Sequence, residues 1–326
     1  MRKINALNAK TEAYREEMER DEKVILLGED VAIAGGLMGQ TKGFAEQFGF
    51  DRVVQTTLNE AGHGMFGVGL AFSGYKPIIE FGMLEFASYA FAAMVCEAAK
   101  QRYMTYGALS CPALFVMPHG GGYMLGGNHS SYGEGWFSNC PGIKVYAPLY
   151  PADIKGLLKY AIREEDPVIY LESKAIALEG EVPDLGVDYL VEPGKANTLV
   201  TGTDLTIVGW QYGILKAMES YPELKSLGIN PEIIDIRTIV PLDVETITKS
   251  VAKTGKLVVI SEARKRGGFG TDIIAAVIEH SYGNLRGKTP VWYVGGKDYP
   301  LPFGHGEKYI MPNKEDLVEA VKRVMQ

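Results

Sequence analysis

The sequence predicts an α/β fold with two domains. Its 326 residues are enough for about two hydrophobic cores, and 46% of them are hydrophobic against 22% charged. Short apolar or β-branched runs alternate with longer helical patterns, as in βαβ units around a parallel sheet. The alternation lapses once, between Ser173 and Thr203, into glycine, proline and acidic residues. We therefore predict a first domain over 1–175, a linker over 176–203 and a smaller second domain over 204–326.

Six runs in the first domain have the length and composition of buried parallel strands. They are Val24–Leu27, Val53–Gln55, Pro77–Glu80, Ala113–Val116, Ile143–Tyr146 and Val168–Leu171. The segments between them predict helices. The clearest covers about Glu85 to Tyr106, and another runs from Ala152 to Arg163 behind Pro151, because proline suits the first turn of a helix.

Four further runs predict the strands of the second domain. They are Leu205–Gly209, Pro231–Ile236, Leu257–Ile260 and Val291–Val294, and helical patterns separate them. Between the first-domain strands lies a glycine-rich stretch, Pro118 to Cys140, without periodicity. A loop of this length in a compact domain is usually functional.

Composition and charge exclude several classes of protein function. With 33 basic and 40 acidic residues the net charge is -7, and no Lys/Arg cluster could follow a phosphate backbone, so nucleic acid is not expected. The apolar run from Gly64 to Tyr75 is shorter than the roughly 20 residues of a membrane helix. The start of the chain lacks an apolar signal region, which predicts a cytoplasmic protein. Three cysteines at unrelated spacings indicate free thiols.

A lone carboxylate, Glu60, stands between the strand near Val54 and a glycine-rich apolar helix. It is expected at the carboxyl end of that strand, where active-site residues of parallel sheets collect. Glycine inside a helix costs about 1 kcal/mol relative to alanine, so Gly64, Gly67 and Gly69 indicate unusually close packing. A glutamate in a first helical turn is also favoured by the helix dipole alone.

The glycine-rich stretch contains a candidate proton-transfer residue, His129. Glycine permits close backbone approach to a ligand, and histidine exchanges protons near neutral pH. A lone loop histidine is also compatible with a surface or hydrogen-bonded role. His63 and His119 have no carboxylate or nucleophile at a recognisable spacing.

A third glycine group, Gly267-Gly-Phe-Gly270, lacks the complete dinucleotide-binding pattern and its acidic partner. A tight turn before a helix near Thr271 is the favoured interpretation.

A set of short motifs extends over nearly the whole chain. They are Leu27-Gly-Glu-Asp-Val, Asn59-Glu-Ala-Gly, Glu97-Ala-Ala-Lys-Gln-Arg-Tyr, Gly120-Gly-Gly, Gly127-Asn-His-Ser, Pro141-Gly-Ile-Lys-Val, Asp235-Ile-Arg-Thr-Ile-Val-Pro-Leu-Asp and Tyr299-Pro-Leu-Pro-Phe. As a set they resemble the beta subunit of the decarboxylating component of 2-oxo acid dehydrogenases, the group that includes the pyruvate, branched-chain and acetoin enzymes. The resemblance implies a pyrimidine-binding domain of the thiamine-diphosphate fold, followed by a transketolase C-terminal-like domain.

The resemblance also implies roles for individual residues. In such proteins the glutamate at the position of Glu60 hydrogen-bonds the aminopyrimidine of thiamine diphosphate and so promotes removal of a proton from the thiazolium carbon. Burial in an apolar pocket would favour the protonated carboxyl that this role needs. Phe86 and Leu58 match the family's apolar contacts to the pyrimidine. His129 matches the histidine that handles protons on the substrate-derived intermediate.

One expected motif is missing. Thiamine enzymes hold the diphosphate through Mg²⁺ bound by a Gly-Asp-Gly segment, which does not occur in this sequence. The resemblance therefore implies an alpha-type partner subunit that carries this motif, pairing with a second copy of this chain in a two-plus-two heterotetramer, and a lipoyl acyltransferase beyond it. It further implies a monovalent-cation site, for K⁺, near Ala161 and Asp166.

Several positions depart from the family's pattern. His129 is followed by Ser130-Ser131 rather than serine and glutamine, and Asn139 replaces a second histidine. Gly82 stands where glutamine is common, and His63 replaces an apolar residue. These changes leave open the substrate and the acyl acceptor.

Three functions therefore remain as hypotheses. The first is oxidative decarboxylation of a 2-oxo acid with acyl transfer to a lipoyl carrier. The second is a related carbon-carbon transfer of the ketol or acyloin type. The third is a scaffolding subunit without catalysis, against which the intact Glu60 and its glycine-rich helix argue.

Overall fold

The structure is a computed structural model of all 326 residues, and it divides into two compact units. The first unit comprises Met1–His119 and Trp136–Pro193. The second comprises Gly120–Gly135 and Gly194–Gln326. The glycine-rich loop that interrupts the first unit in sequence thus belongs to the second unit. No helix of the chain is long and apolar enough to cross a membrane.

The first unit is built around a parallel sheet. Its strands are β1 (Arg2–Asn5), β2 (Val24–Gly28), β3 (Val53–Gln55), β4 (Lys76–Glu80), β5 (Leu114–His119), β6 (Lys144–Tyr146), β7 (Val168–Ser173) and β8 (Glu179–Val182). Within this unit the sheet order is β6-β7-β5-β4-β2-β3, with parallel neighbours throughout. The remaining pair, β1 and β8, is a separate antiparallel ribbon.

Helices cover this sheet. They are α1 (Ala6–Arg20), α2 (Phe44–Phe48), α3 (Glu60–Phe72), α4 (Leu84–Ala87), α5 (Gln101–Met104), α6 (Glu134–Phe137), which spans the boundary at Gly135, and α7 (Pro151–Arg163). The helices α1 and α7 pack on each other. The fully buried Lys155 of α7 pairs with Glu12 at 3.0 Å and with Glu16 at 2.6 Å, both on α1. These ion pairs add to the apolar contacts between the two helices.

The six strands predicted for the first unit are confirmed, with ends shifted by up to three residues. The helix predicted behind Pro151 is confirmed as α7. The single helix predicted from Glu85 to Tyr106 is wrong. This segment contains α4, a 3-10 turn (Ser88–Ala90), a π-helical turn (Ala93–Ala98) and α5. The changes of turn bring the methyl groups of Ala90 and Ala93 against α3, and a repeating apolar pattern does not reveal such changes.

The second unit is a smaller α/β domain. Its strands are β9 (Asn197–Val200), β10 (Leu205–Gly209), β11 (Pro231–Asp235), β12 (Thr238–Val240), β13 (Leu257–Arg264) and β14 (Val291–Gly296), and its helices are α8 (Tyr212–Ser226), α9 (Val244–Thr254), α10 (Gly270–Ser281) and α11 (Lys314–Met325). One sheet has the order β14-β13-β10-β11-β9, parallel except for β9. The four predicted strands are β10, β11, β13 and β14.

The segment predicted as a linker is partly regular. It supplies β8, which pairs with β1 in the first unit, and β9, which forms the edge of the second-unit sheet. Because short edge strands carry few apolar residues, the composition of 176–203 did not indicate them.

Candidate active site

Acidic side chains collect at the carboxyl edge of the first-unit sheet. Glu29 follows β2, Glu60 begins α3 directly after the β3 connection, and Glu80 is the last residue of β4. Because these strands are parallel neighbours, their carboxyl ends share one edge. The sequence prediction that Glu60 lies at this edge is therefore confirmed.

Glu60 is placed by the start of α3. The side chain of Asn59 caps the helix by accepting from the Gly62 amide at 2.9 Å, which fixes the first turn. Glu60 is half-buried rather than enclosed in an apolar pocket, and Leu58 beside it is 84% exposed. The carboxylate and an apolar side chain thus stand together, open to a ligand or to another chain.

The glycines of α3 let neighbouring elements approach closely. A Cβ on Gly64 would lie 2.6 Å from the Cβ of Ala90, and a Cβ on Gly67 would overlap the side chain of Ile79. The predicted close packing is confirmed at these two positions. It is wrong for Gly69, which is exposed and has nothing within 4 Å of such a Cβ.

A histidine on the same helix faces the carboxylates. His63 is 3% exposed, and its Nδ1 lies 4.0 Å from Glu29 Oε1. Burial lowers the pKa of His63, although the charge of Glu60 acts in the opposite direction. Burial, and then the charges of Glu60 and Asp30, raise the pKa of Glu29. The site therefore favours a neutral histidine beside two carboxyl groups that repel each other.

Phe86 lies in the short helix α4, which packs against α3. Its ring is partly exposed and touches the Cβ position of Gly82 at 3.8 Å. The structure thus brings the helix of Phe86 together with the helix of Glu60.

A second group of charges at the same sheet edge is buried. Lys10 is 1% exposed and pairs with Glu80 and Glu172, each at 2.9 Å. The hydroxyl of Tyr14 donates to Glu80 at 2.5 Å. Burial raises the pKa of Glu172 although the charge of Lys10 acts against this. The sequence did not indicate this cluster, because its members are spread along the chain from residue 10 to residue 172.

The glycine-rich loop is held by two carboxylates of the second unit. The Gly121 amide donates to Glu262 Oε2 and the Gly122 amide donates to Glu307 Oε2, each at 2.9 Å. Both glutamates are 5% exposed. A Cβ on Gly120, whose φ is +76°, would lie 2.5 Å from Glu262 Oε1, so glycine is required there.

His129 ends a 3-10 turn (Gly127–His129) of this loop and is partly buried. Its amide donates to the Gly126 carbonyl at 3.1 Å, and the ring of Phe303 covers Gly126. The hydroxyl of Tyr132 is buried without a hydrogen-bond partner, and burial raises its pKa, followed by the charge of Glu262. Glu60 belongs to the first unit and His129 to the second.

The two residues named for the predicted K⁺ site make local contacts. The carboxylate of Asp166 binds the guanidinium of Arg102, and the Ala161 carbonyl accepts from the Glu164 amide at 3.3 Å. No group of three or more His, Cys, Asp or Glu side chains is placed to hold a metal ion.

Gly267, with φ +69°, precedes the start of α10 at Gly270, which confirms the turn interpretation of this glycine group.

Comparisons with known proteins agree with the two units. Residues 2–177 match the transketolase pyrimidine-binding domain, and residues 194–317 match the transketolase C-terminal domain.

Similar proteins are described as the pyruvate dehydrogenase E1 component subunit beta. The one from Rickettsia bellii is 41% identical over 325 residues, covering 98% of this chain and 98% of that protein. The one from Bacillus subtilis is 35% identical over 328 residues, covering 100% of both. A mitochondrial one from Dictyostelium discoideum is 38% identical over 329 residues, covering 100% of this chain and 92% of that protein.

A similar solved structure is a split-gene transketolase described as an inactive beta4 tetramer. Its TM-score is 0.79 at 23% identity, with 99% of this chain and 98% of that chain covered. At this identity the likeness establishes a shared fold.

Proposed function

Because the chain belongs to the family of pyruvate dehydrogenase E1 component beta subunits, we propose that Glu60 is the residue through which it activates thiamine diphosphate. The chain is the beta subunit of a thiamine-diphosphate-dependent 2-oxo acid dehydrogenase. When bound, the cofactor supplies a carbon nucleophile that attacks the carbonyl of a 2-oxo acid. The observation that carries the proposal for Glu60 is its position, a half-buried carboxylate at the start of α3 on the carboxyl edge of a parallel sheet.

The side chains around Glu60 fit an aminopyrimidine. Such a ring needs apolar contacts on its faces and one polar partner at a ring nitrogen. Leu58 offers an exposed apolar surface, and Phe86 offers a partly exposed ring on the helix that packs against α3. Glu60 offers the carboxyl group. We infer that these three residues form the pyrimidine side of the cofactor site.

The chemical task of Glu60 is to hold a proton at the ring nitrogen. A carboxyl group does this when its ionised form is disfavoured by nearby negative charge and by loss of water. The neighbouring carboxyl is Glu29, whose pKa is raised by burial and then by the charge of Glu60. Binding of a partner subunit over the half-buried edge would remove the remaining water.

His129 is proposed to act on substrate-derived groups. Its backbone is fixed by the 3-10 turn, and the loop around it is anchored through Glu262 and Glu307. A histidine held in this way can exchange protons near neutral pH without reorganising its loop.

A partner subunit completes the site in this proposal. The sequence contains no Gly-Asp-Gly, and the chain has no group of acidic side chains placed to hold a metal ion. We infer that an alpha-type subunit carries the Mg²⁺ and diphosphate site and that two chains of each type form a heterotetramer. Acyl transfer to a lipoyl acyltransferase and a K⁺ site near Ala161 and Asp166 belong to the same proposal.

Replacement of Glu60 by glutamine tests the central assignment. Glu60→Gln keeps the size of the side chain but cannot hold and release a proton, so turnover of the complex with pyruvate should fall by at least a hundredfold, in the range of general acid-base contributions, ~10²–10⁴. The matched control is Glu315→Gln, which changes an exposed glutamate in the first turn of α11. Turnover of Glu60→Gln within about tenfold of wild type would contradict the role of Glu60.

Cofactor binding by the isolated chain tests the role of the partner. Because Glu60, Leu58 and Phe86 contact only the pyrimidine, calorimetry on this chain alone should detect no Mg²⁺-dependent binding of thiamine diphosphate at micromolar concentration. Tight Mg²⁺-dependent binding without a second subunit would show that the diphosphate site lies in this chain.

A further inference from the structure

His63 is a buried polar residue in an otherwise apolar position. Its ring lies against Phe81 with the centroids 4.6 Å apart, and only 3% of the residue is exposed. Two oxygens lie near its Nδ1: Thr56 Oγ1 at 3.4 Å and Glu29 Oε1 at 4.0 Å. The side chain is therefore directed from the core towards the acidic edge that contains Glu60.

The tautomer of His63 follows from burial. Its Nε2 is buried and has no hydrogen-bond partner. A buried N–H donor without an acceptor is costly, so the ring carries its proton on Nδ1, where both oxygens lie. Glu29 Oε1 is likewise buried without a hydrogen-bond partner. An unsatisfied acceptor thus faces the only N–H that the ring can offer.

The charged groups around His63 are carboxylates. Glu60 lies one turn earlier on the same helix and Glu29 follows β2, and the neighbours from other elements are the ring of Phe81 and the hydroxyl of Thr56. Burial lowers the pKa of His63, so the ring is neutral at pH 7 and acts as a hydrogen-bond donor rather than as a cation.

We propose that His63 is a positioning residue for the cofactor-activating site: it donates from Nδ1 to the Glu29 carboxylate and holds that charge beside Glu60. The present separation of 4.0 Å closes by about 1 Å when the site is completed, as hydrogen bonds in unliganded active sites commonly do. This inference rests on the role proposed above for Glu60.

The proposed hydrogen bond acts on the ionisation of Glu29. Two adjacent carboxyls are most stable when only one of them carries a charge. Burial and then the charge of Glu60 raise the pKa of Glu29, and a hydrogen-bond donor directed at Glu29 acts against both effects by stabilising its ionised form. A hydrogen bond to an ionised group is worth on the order of a tenfold or greater change in population.

Two substitutions of His63 distinguish its role as a hydrogen-bond donor from its packing against Phe81. His63→Leu keeps an apolar side chain against Phe81 but removes the donor, and turnover of the complex with its alpha-type partner should fall about tenfold or more. His63→Asn retains an N–H near the Nδ1 position without a titrating ring, and turnover should stay within about threefold of wild type. The control is His280→Asn, at an exposed position of α10, which should leave turnover unchanged.

A direct readout does not depend on activity. In the complex with the alpha-type partner, with ¹³C-labelled glutamate carboxyls in this chain only, the Glu29 signal, assigned with Glu29→Gln, should titrate at a higher pH in His63→Leu than in wild type, by about tenfold in proton affinity. In His63→Asn it should titrate close to wild type. Circular dichroism shows that each variant is folded.

The outcomes are distinguishable. An unchanged Glu29 titration in a folded His63→Leu chain, or full turnover of that variant, overturns the inference about His63. If instead Glu60→Gln retains turnover while the Glu29 titration responds to His63→Leu, the contact is real and the proposed function of Glu60 is the part that fails.

Discussion

The glycines of α3 give a matched pair of substitutions with opposite expected effects on stability. Gly69→Ala adds a methyl group where nothing lies within 4 Å, so it should raise the free energy of unfolding by up to about 1 kcal/mol, the usual gain of alanine over glycine in a helix. Gly64→Ala brings the same gain in helix propensity but places the new methyl 2.6 Å from the Ala90 Cβ. That is about 1 Å inside the roughly 3.5–4.0 Å optimum for two carbons.

The Ala90 methyl cannot move out of the way by rotating. It is attached directly to the backbone, so α3 or the 3-10 turn must shift, and overpacking of this kind costs about 1–3 kcal/mol. Gly64→Ala should therefore be less stable than Gly69→Ala by about 1–3 kcal/mol. Because Glu60 lies one turn before Gly64, turnover should fall with it.

Urea denaturation followed by circular dichroism measures both variants. The expected order of midpoints is Gly69→Ala, wild type, Gly64→Ala, with equal slopes. Equal midpoints for Gly64→Ala and Gly69→Ala would refute the reasoning, because they would mean that α3 and Ala90 are not in close contact.

Four further predictions concern individual side chains. Lys10→Met leaves the carboxylates of Glu80 and Glu172 without their cation and should lower the free energy of unfolding by about 3–5 kcal/mol at pH 7. The loss should be smaller near pH 4, because burial raises the pKa of Glu172 and favours its protonated form there; an equal loss at both pH values in urea titrations would contradict this. In the wild type, folding raises the pKa of Glu172, so the protonated carboxyl is favoured in the folded state. Its contribution to stability is therefore complete below the pKa of the unfolded chain and is lost as the pH rises through the folded pKa. Urea titrations across that pH range should show this fall in the free energy of unfolding. Burial raises the pKa of the Cys111 thiol to about 12, so a maleimide at pH 8 should label at most two cysteines of the native chain by mass spectrometry, and a label on Cys111 would count against its burial. His129→Ala should slow turnover while the affinity of the complex for thiamine diphosphate stays within about threefold; weakened affinity with unchanged turnover at saturation would exclude its proton-transfer role.

The sequence predicted the strands of both sheets except the edge strand β9, because each predicted strand is a short apolar run between turn residues. It also placed Glu60 correctly, since a lone carboxylate after a strand in a βαβ pattern falls at the carboxyl edge of the sheet. The departure of His63 from an apolar position was visible in the sequence, but its orientation towards Glu29 was not, because that depends on Phe81 and on the turn after β2.

Other features depended on contacts between distant residues. The break between Glu85 and Tyr106 results from packing against the glycines of α3, which overrides the helical preference of the segment. The carboxylates Glu262 and Glu307 serve the glycine loop but follow no motif that marks them as anchors. The periodicity and spacing of residues in the sequence indicate local secondary-structure preference, whereas these features are determined by tertiary contacts.

The anchoring of the glycine loop sets an order of events during synthesis. Gly121 and Glu262 are 141 residues apart in sequence, and Gly122 and Glu307 are 185 apart. Neither hydrogen bond can form until almost the whole chain has left the ribosome, and contacts across such separations form slowly. The strands and helices around Glu60, by contrast, lie within the first third of the chain. The segment that carries His129 is therefore among the earlier ones to be synthesised and among the last to reach its native position.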